Sequence, residues 1–378
     1  MDNTQKQSGR SLAIRHRGRG AQVFIYFGKL LRMFVYQSDW KVLPMAALIA
    51  GLVGMVVRNK MFLNMEGTLM GAFAMVCVCI WNGCFNSIQV ICRERDVIKR
   101  EHRSGMHISS YIFSHTLYQA LLCLGQSVIT IYVTMQTGVR YPLEGLVTPL
   151  FVLDFAICLF LITFASDLMA LWISSLAKTT TTAMTIMPFI LIFQLVFSGG
   201  MLTLPQWTKP LTRFTISNPG LKAIATLADT NHRPYASIAS MVEKMRDSEI
   251  SISFTLGEAA DLLQDQDNPA IQPLRAAELD EGLTVGQVID SDIAKVLLED
   301  KRDEVIALHT TVGQILDIIG EERAKTFLEQ KTAEANYVSD YEYTGDNLME
   351  YWMQLILFIF VFAVLSTVTL EFIDKDRR

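Results

Sequence analysis

The sequence predicts an all-α polytopic membrane protein with six transmembrane helices and a mostly helical extracytoplasmic insert between helices 5 and 6. Three observations predict this fold. Of the 378 residues 51% are hydrophobic, and they concentrate in windows that reach the roughly 20 residues a helix needs to span a bilayer. A charged run at 93–103 separates two of these windows. Residues 204–349 carry 25 acidic and 13 basic side chains, whereas the rest of the chain has a net charge of +7. This asymmetry follows membrane sidedness and argues against nucleic-acid binding.

The N-terminal region has two parts. Residues 1–20 are polar and lack the apolar run of a signal peptide, so they predict a disordered cytoplasmic tail. Residues 21–40 predict an amphipathic helix in the inner membrane interface, because apolar residues recur at helical spacing. A frayed start of the first span is the alternative interpretation. The apolar positions are Val23, Phe27, Leu30, Leu31, Phe34 and Val35.

Six spans follow, and the first five lie within residues 41–203. The predicted spans are 42–57, 67–92, 104–136, 146–177, 179–203 and 351–370. Lys and Arg number eight up to Lys41, five at 93–103, one at 178 and three in the C-terminal tail, against three in the opposite short loops. Because positive residues stay on the cytoplasmic side, both termini are predicted to be cytoplasmic. Residues 350–378 then form the sixth span and a tail.

The insert at 204–349 divides into two parts. Residues 204–227 are semi-apolar and interrupted by three prolines, which predicts short re-entrant helices. Residues 228–349 predict an acidic helical part. Within it, Thr-x-Gly-Glu/Gln sequences begin at Thr255, Thr284 and Thr311, and each has an Asp six residues after the Thr. Each sequence predicts a capping box that opens a helix. A true repeat and chance recurrence of capping boxes are both open interpretations.

Sites for catalysis or metal binding are not predicted. The chain lacks a G-x-x-x-x-G-K-[ST] phosphate loop, a His-x-x-x-His pair and a G-x-S-x-G elbow. All six cysteines lie in or beside apolar windows, so no disulfide framework is expected in the insert. We therefore expect no enzyme activity, cofactor or metal in this chain.

Ionisable residues inside the predicted membrane region are candidates for function by default. Asp154 and Asp167 are separated by about 220° around one helix, so they do not form a dyad. Structural pairing is the favoured interpretation and a proton or substrate site the alternative. His107 and His115 are expected to be satisfied residues of the bundle.

The charged run carries a family resemblance. Glu94, Arg95, Arg100, Glu101 and Gly105 stand at the spacing E-R-x-x-x-x-R-E-x-x-x-G. Further on, the chain has Phe-Ser-Gly at 197–199, Leu-Pro-Gln-Trp at 204–207 and Ser-Asn-Pro at 217–219. This pattern resembles the membrane domain of the G subfamily of ABC transporters and bacterial type-2 permeases. The resemblance covers residues 70–227 and implies that 93–103 is a coupling helix, with Glu94, Arg95, Arg100 and Glu101 contacting the ATPase. An anchor for anionic lipids is the alternative, but the interleaved acidic residues disfavour it.

The resemblance also implies a substrate site and an outer gate. The sequence N-x-C-F-x-S at 82–87 is similar to that of a multidrug exporter of the subfamily, which implies a central cavity lined by Asn82, Phe85, Ile192 and Leu195. The resemblance places the gate at Phe197, Gly200 and Met201, and the residues present imply a looser gate or one formed elsewhere. Ordinary helix packing is the alternative for the cavity residues.

The predicted function follows from the resemblance. It implies the permease subunit of an ABC exporter that moves a lipid, drug or peptide, and that pairs with a second copy or a homologous permease. Its expected partners are an ABC ATP-binding subunit that holds ATP and magnesium, membrane lipids and the substrate, in the bacterial cytoplasmic membrane. One alternative is an envelope machine whose ATPase moves the extracytoplasmic domain without solute transport. Another is a membrane receptor or scaffold.

Overall fold

The structure is a computed structural model, and it forms two compact units. The described residues are 18–36, 39–200, 205–236, 321–372 and, between these last two ranges, 238, 244, 246, 249–255, 257–258, 261, 272–276, 283–291, 302–303 and 305–313. One unit comprises the chain up to Thr230 together with the chain from Ser339. The second unit comprises Asn231–Val338. Most of the predicted tail at 1–20 and the residues 201–204 lie outside the described residues.

The first unit is a bundle of apolar helices. Its helices are α1 (Arg19–Tyr36), α2 (Val42–Val57), α3 (Met65–Ser87), α4 (Val90–Arg103), α5 (Ile108–Gln136), α6 (Phe151–Leu176), α7 (Thr180–Val196), α8 (Ser217–Leu227) and, after the second unit, α12 (Gly345–Glu371). Among the described residues, α5, α6, α12 and the joined α3 and α4 are long and apolar enough to cross a membrane, while α2 and α7 are shorter apolar helices. The predicted all-α polytopic fold is therefore confirmed.

Helix starts follow local capping chemistry. The Asn64 side chain accepts the backbone N–H of Gly67 at 2.7 Å and caps α3. Thr179 caps α7 by accepting the N–H of Thr182 at 3.2 Å, and Thr344 caps α12 in the same way. Such caps satisfy N–H groups that have no partner within the helix.

Several predicted boundaries differ from the structure. The second span ends at Ser87 and not at 92, α4 begins at Val90 and not at 93, the fifth span ends at Val196 and not at 203, and the sixth begins at Gly345 and not at 351.

Two further differences have a local cause. The third span begins at Ile108 and not at 104, because Gly105, with φ of +100°, turns the chain between α4 and α5. The fourth begins at Phe151 and not at 146, because the N–H groups of 146–148 bind the Asp154 carboxylate. These bonds hold residues 146–148 as a loop before the helix.

The centre of the bundle is α6, which is buried along most of its length. It packs against α3 on one side and α12 on another, while α2 and α1 pack against α5. Gly83 permits the close approach of α3 and α6, because a methyl group at this position would lie 2.3 Å from the Thr163 carbonyl oxygen. Small residues at such crossings are typical of membrane bundles.

The stretch predicted to be re-entrant forms a 3-10 segment, Gln206–Phe214, followed by α8. Nearly all of α8 is buried, and the helix contacts α3, α6 and α12. The prolines lie in or beside these short elements, where a missing N–H is tolerated.

The second unit contains a β-ribbon that the sequence analysis did not predict. Strand β1 (Glu249–Thr255) pairs antiparallel with β2 (Val305–Thr311), with Glu249 opposite Thr311. The unit also has α9 (Gln272–Arg275), α10 (Val285–Ile289) and α11 (Glu321–Ala335). The sequence EISISF alternates polar and apolar residues, which is the period of a strand.

The Thr-x-Gly sequences have a common environment in this unit. Thr284 forms the predicted capping box with Gln287, and Thr255 forms the same reciprocal bonds with Glu258. Gln314, the partner predicted for Thr311, lies outside the described residues.

An arginine accompanies each of the three glycines. The N–H of Gly257 binds the carbonyl of Arg302, and the N–H of Gly313 binds the carbonyl of Arg246. Gly286 packs against Arg275, whose side chain also pairs with Asp290. Each of these arginines precedes one of the threonines by nine residues, which supports a true repeat.

Candidate functional site

The predicted substrate residues of α3 face different environments. Phe85 is 49% exposed, and its ring lies 5.9 Å from that of Trp81. Asn82, almost one turn earlier, is only 6% exposed and lies within the bundle of its own chain. The structure therefore places the aromatic ring on an open face and the amide inside.

The predicted residues of α7 lie on or near an uncovered face as well. Ile192 is 58% exposed and Leu195 is partly exposed. Helix α7 contacts α3, and its Met184 lines the same cavity as Phe85. Phe85 and Ile192 thus present apolar surface that the single chain does not cover.

The predicted gate is built on close contacts with α8. Phe197 stacks at a tilt against Phe193, with ring centroids 4.9 Å apart. A methyl group at Gly200 would lie 1.9 Å from Leu221 Cδ2, so the Leu221 side chain fills the space beside this glycine. Met201 lies outside the described residues.

Gln194 is a structural link that the sequence analysis missed. Its Oε1 accepts the backbone N–H of Ile216 at 2.8 Å and that of Ser217 at 3.3 Å. The Ser217 hydroxyl donates to the Gln194 carbonyl. Gln194 therefore joins the end of α7 to the start of α8. A single amide side chain in an otherwise apolar helix is the sequence feature that could have indicated this link.

Two of the predicted coupling residues have partners within the chain. Arg95 donates from Nη1 to the carbonyls of Ser175 and Ala177, each at 3.0 Å, and so satisfies the end of α6. Glu101 accepts from the Tyr26 hydroxyl at 3.0 Å and lies 3.8 Å from Lys29. These contacts fix α4 to α6 and to α1.

The other two predicted coupling residues differ in exposure. Arg100 is exposed on α4, whereas Glu94 is half-buried and lines the cavity beside Phe85. Arg100 is thus positioned to meet a partner protein without breaking a contact within the bundle. Glu94 faces the interior of the chain.

Further bonds tie α1 to the turn between α4 and α5. The Gln22 amide donates to the Gly105 carbonyl at 3.2 Å and accepts the His107 N–H at 3.0 Å. Burial and the adjacent Glu101 carboxylate raise the pKa of Tyr26 above its usual value, so the phenol remains a donor. Helices α1 and α4 and the start of α5 are therefore held as one element.

Asp154 has a structural role. Its carboxylate accepts the backbone N–H groups of Leu146, Val147 and Thr148 at 2.8 to 3.2 Å. These bonds close the loop before α6. The favoured sequence interpretation, structural pairing within the bundle, is confirmed for this residue.

Asp167 lies fully buried at the centre of the bundle in a chain of polar side chains. The Ser87 hydroxyl donates to Asp167 Oδ1 at 2.9 Å, and Gln119 Nε2 donates to the Ser87 oxygen at 2.8 Å. The neighbouring Asn86 exchanges two hydrogen bonds with Gln126, at 2.9 and 3.0 Å. Asp167 and Asp154 have separate partners, so the prediction that they form no dyad is confirmed.

The interpretation of His115 as a satisfied residue is wrong. Both ring nitrogens are buried and have no hydrogen-bond partner in the described part of the chain. Gln119 Oε1, one turn further along α5, is also buried and unpartnered. Leaving such a group unsatisfied costs about 1 to 3 kcal/mol. The sequence does not show this, because the absence of a partner depends on the packing of α3 against α5. His107, by contrast, is exposed.

The side chains of His115 and Gln119 line a cavity of about 330 Å³. Its walls come from α1, α2, α3, α4, α5 and α7. Phe85 and Asn86 line it together with His115 and Gln119. The cavity thus joins the open face of α3 to the polar interior of the bundle.

Comparison with known families agrees with this architecture. A family model described as ABC-2 type transporter matches residues 29–219, just over half of the chain. The comparison with curated proteins found no match. The matched range includes α4, the cavity beside Phe85 and the link from α7 to α8. Membership of this family implies partnership with an ABC ATPase subunit. The chain belongs to the ABC-2 type transporter family and is a multi-pass permease subunit of an ABC transporter.

Proposed function

We propose that this permease subunit exports a hydrophobic or amphipathic solute, such as a lipid, drug or peptide, by alternating access. The observation that carries the proposal is the cavity beside Phe85. It has a half-exposed aromatic ring, apolar walls and buried polar groups in one place. A helix face that only contacts lipid does not require buried polar groups.

The proposed transporter is a two-fold dimer with a second copy or a homologous permease. In a two-fold dimer the same residues meet across the axis. The uncovered apolar surface at Phe85 and Ile192 would then close into a central cavity, which Leu195 extends along α7. Asn82 is buried in the bundle, so it would support the wall of this cavity through its packing.

The proposed energy source is an ABC ATP-binding subunit that holds ATP and magnesium. Its movement would press on α4 near the exposed Arg100. Because Arg95 and Glu101 bind α4 to α6 and α1, the displacement would reach the bundle as a rigid-body tilt. That tilt would change the cavity from inward-open to outward-open.

The proposed orientation places both termini in the cytoplasm of a bacterial cell, and the protein in its cytoplasmic membrane. The Lys and Arg asymmetry of the short loops supports it. The acidic unit, Asn231–Val338, would then lie outside the membrane.

Reconstitution tests the proposal. The full chain is co-purified with its partner ABC ATPase, placed in proteoliposomes and supplied with a fluorescent short-chain phospholipid. Export predicts ATP-dependent movement of the probe and ATPase activity that rises with probe concentration. Vesicles with an ATPase that binds but cannot hydrolyse ATP are the control. Robust ATPase activity that is insensitive to phospholipids, hydrophobic drugs and peptides would contradict export.

A second candidate function is an envelope machine in which the ATPase moves the extracytoplasmic domain without solute transport. The observation in its favour is that Asn231–Val338 forms a compact unit of its own. Deletion of this unit distinguishes the two functions. After the deletion, an exporter would retain substrate-stimulated ATPase activity. For the envelope machine, cells that carry the deletion would show the loss-of-function phenotype although ATPase activity is intact.

A further inference from the structure

A cavity on the α4 side of Phe85 is lined by two side chains whose buried polar atoms have no hydrogen-bond partner among the described residues. These atoms are both ring nitrogens of His115 and Oε1 of Gln119. Both side chains are almost fully buried and line the cavity. Gln119 already uses its Nε2 to donate to Ser87, so its oxygen is the group that is left to accept from an occupant.

The other lining residues restrict what can occupy this space. Leu30, Met33, Leu122 and Met184 are apolar, so an occupant needs an apolar body. Of the described residues that line the cavity, the two charged ones, Arg93 and Glu94, have opposite signs. No single ionic charge is therefore favoured. The volume of about 330 Å³ is at the lower end of the range for small-molecule sites.

The hydrogen-bonding groups of the cavity define which polar group a ligand must carry at its end. Gln119 Oε1 needs a donor, and a neutral imidazole offers one donor and one acceptor. A hydroxyl can donate to the Gln119 oxygen and accept from the N–H of His115, which satisfies Gln119 and one of the two ring nitrogens. A primary amide does the same. An ether can only accept, and would leave the Gln119 oxygen unsatisfied.

We propose that this cavity binds the uncharged hydroxyl or amide end of an amphipathic solute, with Gln119 and His115 as its ligands. The proposal deepens the proposed export function, because it assigns a chemical class to the polar end of the substrate. The hydrogen bond to Gln119 selects for a donor, and Phe85 contacts the apolar body at the point where the cavity meets the open face.

The test is photolabelling of the purified full chain in lipid nanodiscs. The probes are a long-chain alcohol that carries a diazirine and the methyl ether of the same alcohol. The alcohol is expected to label the cavity walls, such as Leu122 and Met184, at a concentration about fivefold lower than the ether. Gln119→Leu should remove this preference.

His115→Phe is the second variant, because it removes no hydrogen bond within the protein. A phenyl ring also retains the packing on Tyr111, whose ring centroid lies 4.6 Å from that of His115. It should weaken labelling by the alcohol and by the ether about fivefold each, because both oxygens accept from the imidazole N–H, and it should leave the preference for the alcohol in place. Gln136→Leu is the matched control, since it makes the same change at an exposed position of α5.

Equal labelling by the alcohol and the ether in the unmodified chain would overturn the proposal, and would show that water alone satisfies these groups. Labelling of the cavity walls that is unchanged in both variants would overturn it as well. The ATPase takes no part in this experiment. Loss of transport with intact selective labelling would therefore contradict export without contradicting the site.

Discussion

The Ser87 hydroxyl donates to Oδ1 of Asp167 at 2.9 Å, and this bond joins α3 to α6 at the centre of the bundle. Ser87 is the last residue of α3, so the bond lies where the membrane helix ends and α4 follows. Because Gln119 also donates to Ser87, three helices meet at one hydroxyl. If a movement of α4 is transmitted to the bundle, it must either break these hydrogen bonds or move α3, α5 and α6 together.

Asp167→Asn should be tolerated. The Asn carbonyl oxygen still accepts from Ser87, and no ion pair is lost, since no salt bridge to Asp167 exists among the described residues. Asp167→Leu removes the acceptor and should cost about 1 to 3 kcal/mol of stability. Thermal unfolding in detergent measures both changes. Equal destabilisation by the two variants would contradict a role that rests on this hydrogen bond.

Asp154→Asn should be more damaging than Asp167→Asn. One oxygen of Asp154 accepts two or more backbone N–H groups, and the other accepts from Thr148. An amide replaces one of these acceptors with an NH2 group, so the shorter bond from Thr148 is lost at the least and two donors then face each other. We expect a loss of about 1 to 3 kcal/mol. A fully stable Asp154→Asn variant in the same unfolding assay would refute this.

Gly83→Ala should destabilise the bundle, because the new methyl group would lie 2.3 Å from the Thr163 carbonyl oxygen and α3 and α6 would have to separate. Overpacking of this kind costs about 1 to 3 kcal/mol. Gly125→Ala on α5 is the matched control, since its methyl group would lie at an ordinary 3.8 Å from Leu43. The two variants are compared by unfolding temperature and monodispersity. Similar behaviour of both would show that α3 and α6 are not in close contact at Gly83.

The helices and the charged tip could be predicted from sequence, since bilayer thickness fixes the length of an apolar window and α4 is marked by its charges. The position of Phe85 on an open face also follows from helical spacing together with the family pattern. The partners of Arg95 and Gln194 could not be predicted. Their bonds join residues that are distant in sequence, and no local pattern specifies which helix end will be near.

The β-ribbon was missed for a different reason. The alternation in EISISF favours a strand, but the capping-box sequences that follow the two strands favour helix starts. Both patterns are present, because Thr255 and Thr311 end strands and stand just before helical residues. A short strand and a following capping box therefore have to be assigned separately.

Arg95→Ala and Arg100→Ala should separate folding from coupling. Arg95 donates two hydrogen bonds to the end of α6, so its removal should lower stability by about 1 to 3 kcal/mol. Arg100 is exposed, and its removal should leave stability within about 0.5 kcal/mol. Arg100→Ala should instead reduce the stimulation of the partner ATPase by substrate. Normal coupling in a stable Arg100→Ala complex would remove this residue from the proposed contact.

The proposed orientation predicts a labelling pattern. In a cysteine-free background, a membrane-impermeant maleimide added to intact cells should modify a cysteine at Glu334, which is exposed on α11. A cysteine at Lys99 on α4 should react only after the cells are permeabilised. Reaction at Lys99 in intact cells would reverse the orientation.

Phe85→Ala should weaken the stimulation of ATPase activity by a hydrophobic solute. The half-exposed ring lines the cavity beside α7, so its removal takes away a wall of the proposed site and little of the core. In a two-fold dimer two such rings would flank the solute, and each aromatic contact contributes about 0.5 to 1.5 kcal/mol beyond area burial. The concentration of a hydrophobic drug needed for half-maximal stimulation should therefore rise about tenfold, with expression unchanged.

Phe360→Ala is the matched control for this experiment. Phe360 is exposed on α12 and does not line the cavity, so the same loss of an aromatic ring should leave stimulation unchanged. If both variants behave like the unmodified complex, Phe85 contacts lipid and the central cavity is formed elsewhere. If both lose stimulation to the same degree, the effect comes from lipid packing around the bundle. Only a selective effect at Phe85 supports a substrate site between α3 and α7.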